Sequence, residues 1–379
     1  MDNDLCRLTG AEFPLFAFSH CRDVVAAVSR AGGFGVLGCS SFGSHQLEEE
    51  LAWIDAHVDG KPYGVDILFP QVQQASSGMS MDDFAAAIPP GHVDFVVDLL
   101  ARHDVTIARS EVIRDRLPPT APDEAERLME IAFRHPIRLI ANALGVAPPL
   151  MIAHAKAAGV PVAALVGTKD HAIKQVQAGV DIIVAQGTEA AGHCGDISTL
   201  VLVPEVIRAL RLLGRPYGDI PVIAAGGIVT GEQMAGAMAM GAQGAWTGTV
   251  WLATTQAETS PVIREKMVEA RSQDTVRSKA RSGKPCRQLK SAWNEAWDSP
   301  DTPDPLPFPL MPLICVPALN KTFAAAEAGS VSAKRLATYE SGQGVGMIEA
   351  VRSATAVVQD FKQEFADAFA QFVRMVAAD

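Results

Sequence analysis

Eight short apolar runs, each followed by a stretch with helical spacing, constrain this 379-residue chain more than any other feature. The runs fall at 13–18 (FPLFAF), 34–37 (FGVL), 64–68 (GVDIL), 137–142 (IRLIAN), 161–166 (PVAALV), 181–185 (DIIVA), 221–225 (PVIAA) and 244–247 (GAWT). They are continuous rather than alternating, the pattern of strands covered on both faces. Helical patterns occupy 22–31, 45–57, 148–158, 169–178, 199–212, 230–240 and 258–271. Strand and helix in repeated alternation imply parallel strands joined by right-handed crossovers. Gly159, Gly179 and Gly241 stand just past three of these helices, where the left-handed backbone of a helix end suits glycine. Eight such units in about 250 residues predict a closed (β/α)8 TIM barrel. A doubly wound open sheet is the alternative.

The remaining length falls in three places. Residues 80–135 form a helical insertion between the third and fourth strands, with a loop near Pro118–Pro122. Residues 275–345 are basic and then proline-rich, as expected of a smaller C-terminal cap or lid. Residues 346–379 carry a long amphipathic helix over 350–377, which packs on the barrel or on a second subunit and so leaves a homodimer open. The barrel itself is assigned to 1–274. Hydrophobic residues at 48% and charged residues at 20% exclude a disordered chain. A net charge of −11 without a basic block argues against nucleic acid as a partner. The six cysteines (Cys6, Cys21, Cys39, Cys194, Cys286, Cys315) are scattered singly, which predicts a reduced, cytoplasmic protein without a structural metal. No signal-peptide pattern is visible at the N-terminus. The uncharged stretch 233–257 has the length of a membrane span, but Gly236, Gly241, Gly244 and Gly248 break it into a helix, a turn and a strand. No membrane association is expected.

Chemistry in a barrel sits on the loops at the carboxyl ends of the strands. The loops after the last two strands, with Gly226-Gly227 and Gly248-Thr249, are placed for a phosphate: glycine lets backbone N–H groups approach an anion. The plainer alternative is that these glycines only make tight turns. After the sixth strand, His193 lies in a loop of small residues (Ala190, Ala191, Gly192, Gly195) that would let a flat cofactor come close. Histidine titrates near neutrality, which suits a proton acceptor. A surface histidine is the competing reading, and the strand-end position favours the base. Cys194 has no evident activating partner and is read as a wall residue. Glu189 and Asp196 are expected to orient the loop. His20, after the first strand, is a candidate substrate contact. Lys169, after the fifth, either meets a cofactor oxygen or sits in solvent at a helix start. Asp66 is placed to accept from a ring N–H.

These segments resemble the nitronate monooxygenase family, formerly called 2-nitropropane dioxygenases. The resemblance is carried by Ala31-Gly32-Gly33-Phe34-Gly35-Val36-Leu37-Gly38 and by Gly179 through His193. Ala224-Ala225-Gly226-Gly227-Ile228, Trp246-Thr247-Gly248-Thr249, Ser282-Gly283-Lys284-Pro285 and Gly342-Gln343-Gly344-Val345-Gly346 extend it over about residues 13–350. Ala17-Phe18-Ser19 stands where the family usually has Ala-Pro-Met, and Asp66 where it has asparagine. The resemblance implies non-covalent FMN, with its phosphate on Gly226, Gly227, Gly248 and Thr249. It implies further contacts from Gln186, Ala191, Gly192, Trp246, Thr247 and the loop Ala17-Phe18-Ser19, and a substrate contact at Gln343. It also implies oxidation of alkyl nitronates with O₂, with His193 as base. The alternatives are an FMN-dependent enoyl-thioester reductase, an NAD(P)H:acceptor reductase, or an FMN-binding protein with little turnover. In the reductase, the basic residues Lys279, Arg281, Lys284, Arg287 and Lys290 would meet a carrier's phosphates; otherwise they form a solvated loop.

Overall fold

A computed structural model describes residues 1, 3–69, 80–115 and 122–376. Eight parallel strands close into one barrel in chain order. They are β1 (Leu15–Ser19), β2 (Phe34–Gly38), β3 (Tyr63–Asp66), β4 (Ile140–Asn142), β5 (Val162–Val166), β6 (Ile182–Gln186), β7 (Val222–Ala225) and β8 (Gly244–Thr247). Closure comes from β8 pairing with β1, Phe16 opposite Trp246. The barrel is therefore closed, not an open sheet. Six strands start later or end earlier than their apolar runs by one to three residues, whereas β8 coincides with its run and β2 extends one residue beyond it. The flanking residues still belong to the core: Pro14 accepts from the Ala245 N–H at 3.0 Å without being part of a strand.

Two cores share the strands. Alternate side chains (Phe16, Phe34, Val36, Leu139, Ala141, Ile182, Val184, Ile223, Trp246) fill the barrel interior. Their neighbours (Leu15, Ala17, Leu37, Val65, Ile183, Ala185, Ala245) meet the surrounding helices. This is why the strands read as unbroken apolar runs. Helix α1 (Asp4–Thr9), capped by the Asn3 side chain, contributes Leu5 and Cys6 to the interior and plugs its amino end. The outer ring comprises α2 (Arg22–Arg30), α3 (Ser44–His57), then, beyond an insertion, α7 (Pro149–Ala158), α8 (Lys169–Ala178), α9 (Thr199–Leu212) and α10 (Gly231–Ala239). Gly159 and Gly179 end α7 and α8 in the left-handed conformation.

The insertion consists of α4 (Met81–Ala86), α5 (Pro90–Ala101) and α6 (Pro122–Ala132). Most of the expected loop near Pro118–Pro122 lies outside the described residues. After α11 (Thr249–Leu252) and α12 (Pro261–Glu269) comes an antiparallel hairpin of β9 (Thr275–Ser278) and β10 (Cys286–Leu289). Then follow α13 (Ala292–Trp297), α14 (Leu310–Glu327) and α15 (Val331–Leu336). Insertion and late segment share one hydrophobic core: Phe84, Val96 and Leu100 pack with Trp293, Trp297, Ile314 and Leu319. The sequence treats them as separate additions; in space α4 and α5 form one small layer with the late segment, while α6 packs in the barrel's outer core through Leu128 and Met129. The last described element is α16 (Ala354–Val376). Its first turns are buried through Val357, Val358 and Phe361, and Gly231 of α10 lies against its backbone. No helix among the described residues is long and apolar enough to cross a membrane. The uncharged 233–257 stretch becomes most of α10, a turn, β8 and α11.

Candidate functional site

At the carboxyl end of the barrel, inward-facing positions set the floor of the mouth. Phe18 and Trp246 stack with centroids 6.5 Å apart, and the His20 ring meets Phe18 edge-on at 5.1 Å. His20 Nδ1 lies 2.8 Å from the Gly38 carbonyl. Asp66 also points inward, is buried, and has an Oδ1 without a hydrogen-bond partner. Burial pushes its carboxyl up to about 7. Gln186 ends β6 on the same inward register as Ile182 and Val184, half-exposed at the mouth.

The loop after β6 is fixed by its neighbours. The Glu189 carboxylate accepts from both the backbone N–H and the hydroxyl of Thr199, each at 2.9 Å, and so caps α9. Asp196 pairs with Arg277, which also donates to the Cys194 carbonyl. Both acids therefore orient the loop. Gly192 exchanges two backbone hydrogen bonds with Arg287 of β10, at 3.0 and 2.8 Å. The Arg287 guanidinium donates to the Thr188 carbonyl at 2.8 Å. Burial raises the Cys194 thiol, against Arg277 and Arg287, so it is no ready nucleophile.

His193 stands on this fixed loop. Its Nδ1 lies 3.1 Å from the Pro285 carbonyl. A carbonyl only accepts, so Nδ1 carries the proton and Nε2 keeps its lone pair. Desolvation lowers the imidazole below its ordinary value, and Lys284 adds to this; the Pro285 carbonyl and Glu340 work the other way. The residue is itself solvent-exposed, beyond the carboxyl end of β6. A neutral imidazole with a free Nε2 is a base in waiting.

The glycine loops are built for close approach. Gly226 and Gly227 have φ of 108° and 74°. A Cβ on Gly226 would lie 2.7 Å from the Thr199 hydroxyl and 3.0 Å from the Gly187 carbonyl, so this glycine also answers a packing need. Nothing lies within 4 Å of the missing Cβ of Gly248. A segment from the cap folds over these loops. The Gly342 N–H donates to the Thr249 hydroxyl at 2.9 Å, and the Gln343 N–H to the Glu189 carbonyl at 2.8 Å.

Three expected contacts do not enter the mouth with their side chains. Ala17 faces outward into the helix layer. Thr247 also faces outward: its hydroxyl donates to the Phe16 carbonyl at 3.0 Å and accepts from the Trp251 indole at 2.9 Å. Only the backbones of these two remain available. Lys169 is paired with Glu205 of α9 at 3.1 Å, which matches the helix-start reading rather than a cofactor contact. Phe18, Ser19, His20, Asp66, Gln186, Ala191, Gly192, His193, Gly226, Gly227, Trp246, Gly248, Thr249 and Gln343 do gather at this end of the barrel. Sequence reasoning missed Thr199, Pro285 and Glu340. It also read the basic segment as solvated or phosphate-facing, whereas Arg281 and Arg287 are largely buried and bonded within the protein.

An apolar-walled mouth with an unpartnered buried carboxyl, glycine loops with open space at Gly248 and a neutral histidine suits a planar cofactor with an anionic tail. That class is a flavin-dependent oxidoreductase on a (β/α)8 barrel. The chain belongs to the nitronate monooxygenase family, whose model matches residues 19–364. It is accordingly an oxidoreductase of a flavin-dependent family. It is 47% identical over 386 residues to the Mycobacterium tuberculosis protein Rv1533, provisionally named a monooxygenase; the match spans 99% of this chain and 100% of that one. A protein of Staphylococcus aureus (strain Newman), provisionally named nitronate monooxygenase, is 27% identical over 79% of this chain and 83% of its own. Among solved structures, a nitroalkane oxidase from Streptomyces ansochromogenes superimposes with a TM-score of 0.77 at 23% identity, over 98% of this chain and 100% of that one. FabK from Thermotoga maritima gives 0.72 at 23% identity, over 99% of each chain. These two likenesses show the fold alone.

Proposed function

We propose that this protein oxidises alkyl nitronates and nitroalkanes with FMN and O₂. The observation that carries the reading is His193: an imidazole held toward its neutral form and fixed by Pro285 through Nδ1, which leaves the Nε2 lone pair for a substrate proton. FMN, when bound, supplies the electron acceptor that is returned to its oxidised form by O₂. The residues that would hold it are Asp66 toward a ring N–H, Trp246 and Phe18 against the apolar body, and Gly226, Gly227, Gly248 and Thr249 toward the phosphate.

With a neutral nitroalkane, Nε2 of His193 takes the proton from the carbon beside the nitro group. The C–H bond breaks, an N–H bond forms, and the electron pair moves onto the nitro oxygens. With a nitronate this transfer is already done, and His193 serves only to position the anion. Replacing His193 by Asn is therefore expected to slow turnover of neutral nitroalkanes by roughly 10²–10⁴-fold. Turnover of preformed nitronates should fall far less, and the flavin should stay bound. Equal rates for wild type and His193→Asn on neutral nitroalkanes would remove the base from the account.

For the enoyl-thioester reductase alternative, Lys279 and Lys290 stay exposed, but two of its five basic residues are withdrawn from a carrier's phosphates. Arg281 and Arg287 are engaged inside the protein and do not present a phosphate-binding patch.

A further inference from the structure

Strand β10 seats two loops on consecutive residues. Gly192, next to His193, pairs with Arg287; Glu340 pairs with Gln288. The Arg287 carbonyl accepts from both the Gly192 N–H at 3.0 Å and the Ser341 N–H at 3.3 Å. Glu340 is thus brought beside the His193 loop by backbone pairing alone.

Arg281 grips the Glu340 segment at three successive residues. Its Nε donates to the Glu340 carboxylate at 2.8 Å, and its terminal nitrogen to the Thr338 carbonyl at 3.1 Å. Its guanidinium lies 5.2 Å from the centre of the Tyr339 ring. The Arg281 side chain is 14% exposed and that of Glu340 34%. Burial works to raise the Glu340 carboxyl, and Arg281 outweighs it, holding the group below the usual range. Glu340 is therefore held in place, and Arg281 favours its charged form. The charged groups that act on His193 are Glu340 and Lys284, and His20 acts on Glu340. Lys284 is held by its own turn and rests 4.9 Å from the centre of the Phe308 ring. Next along the His193 loop, Asp196 is neutralised by Arg277.

We propose that Arg281 and Glu340 are positioning residues for His193. The pair holds one carboxylate beside the imidazole, where it supports the positive charge that appears when Nε2 takes the substrate proton. Arg281 tunes that support by compensating part of the carboxylate's charge. The catalytic value of this arrangement rests on His193 being the base; the electrostatic arrangement itself does not.

If the pair works in this way, its two ends move the imidazole in opposite directions, which a purely structural role would not do. Glu340→Gln keeps an oxygen for Arg281 and removes the negative charge. Arg281→Met leaves the carboxylate uncompensated. In the FMN-loaded full chain, with histidine ring carbons labelled and the His193 signal assigned from His193→Asn, NMR titration reads the ring directly. Glu340→Gln is expected to shift the His193 midpoint down, and Arg281→Met to shift it up, each by roughly half to one pH unit. The double variant should lie above Glu340→Gln, because the uncompensated Arg281 charge is removed as well, and it covers the case in which Arg281→Met alone fails to fold. A midpoint that stays at the wild-type value in Glu340→Gln, a double variant no higher than Glu340→Gln, or single variants that move in the same direction would overturn the proposal. If the midpoints move as expected while His193→Asn still turns over neutral nitroalkanes, the electrostatic pair stands and the assignment of the base falls.

Discussion

His193 and Asp66 show how one mouth shifts two side chains in opposite chemical senses for one reason. Desolvation disfavours charge, so it lowers the histidine and raises the aspartate. For His193 the base form is present above a midpoint that lies under the ordinary 6.5. The kcat/KM for neutral nitroalkanes should therefore rise with pH through that lowered midpoint and be level by neutrality. For Asp66 the folded state holds its proton up to about 7, whereas the unfolded chain releases it near 3.8. Folding thus binds a proton, and stability falls as pH rises across that window. Between pH 5 and 8 the flavin-free wild type should lose roughly 2–3 kcal/mol that Asp66→Asn does not lose. Urea denaturation at the two pH values measures this, and parallel curves for the two proteins would contradict it. His193 was legible because a histidine in a glycine-rich loop at a strand's carboxyl end has few structural reasons to be there. Glu340 was not: its partner Arg281 is 59 residues away in sequence, and neither residue carries a local mark of the pairing.

At the scale of elements, the site depends on backbone meeting backbone. The loops after β6 and β7 and the segment Ser341–Gly344 lie within hydrogen-bond reach of one another. A Cβ on Gly344 would come 2.7 Å from the Gly227 carbonyl. Gly226→Ala would strain a left-handed residue and press on Thr199, which caps against Glu189. The expected cost is about 1–3 kcal/mol of strain, with weaker flavin retention. A lower denaturation midpoint together with faster flavin loss on dilution would bear this out; unchanged values of both would contradict it. The glycine loops and all eight strands could be read from the sequence. Which residues of a strand face inward could not, because both faces are apolar and the alternation leaves no polar trace. That is why Ala17 and Thr247, which face the helices, were grouped with Phe18 and Trp246, which face the mouth.

Over the whole molecule, the barrel supplies rigidity and the cap supplies closure. The insertion and the late segment meet only after the chain has completed the barrel, through a core with Trp293 and Trp297 at its centre. Contacts between residues some 200 positions apart are invisible to local pattern, so their union was not foreseen. From this layer the hairpin β9–β10 reaches the mouth. It provides Pro285 to His193 and seats the loops bearing Gly192 and Glu340. The mouth is thus completed by parts of the chain distant from every barrel strand. On the proposed function, this mouth passes electrons from a nitronate to a flavin. The measurement that tests it most directly is the visible spectrum of the purified protein under anaerobic conditions. Propionate 3-nitronate and NADH or NADPH are added in separate experiments. Rapid loss of the flavin absorbance with the nitronate, and none with the nicotinamides, is the expected result. Bleaching by NADH or NADPH alone would identify a reductase, and a colourless protein that takes up no FMN would contradict the account at its root.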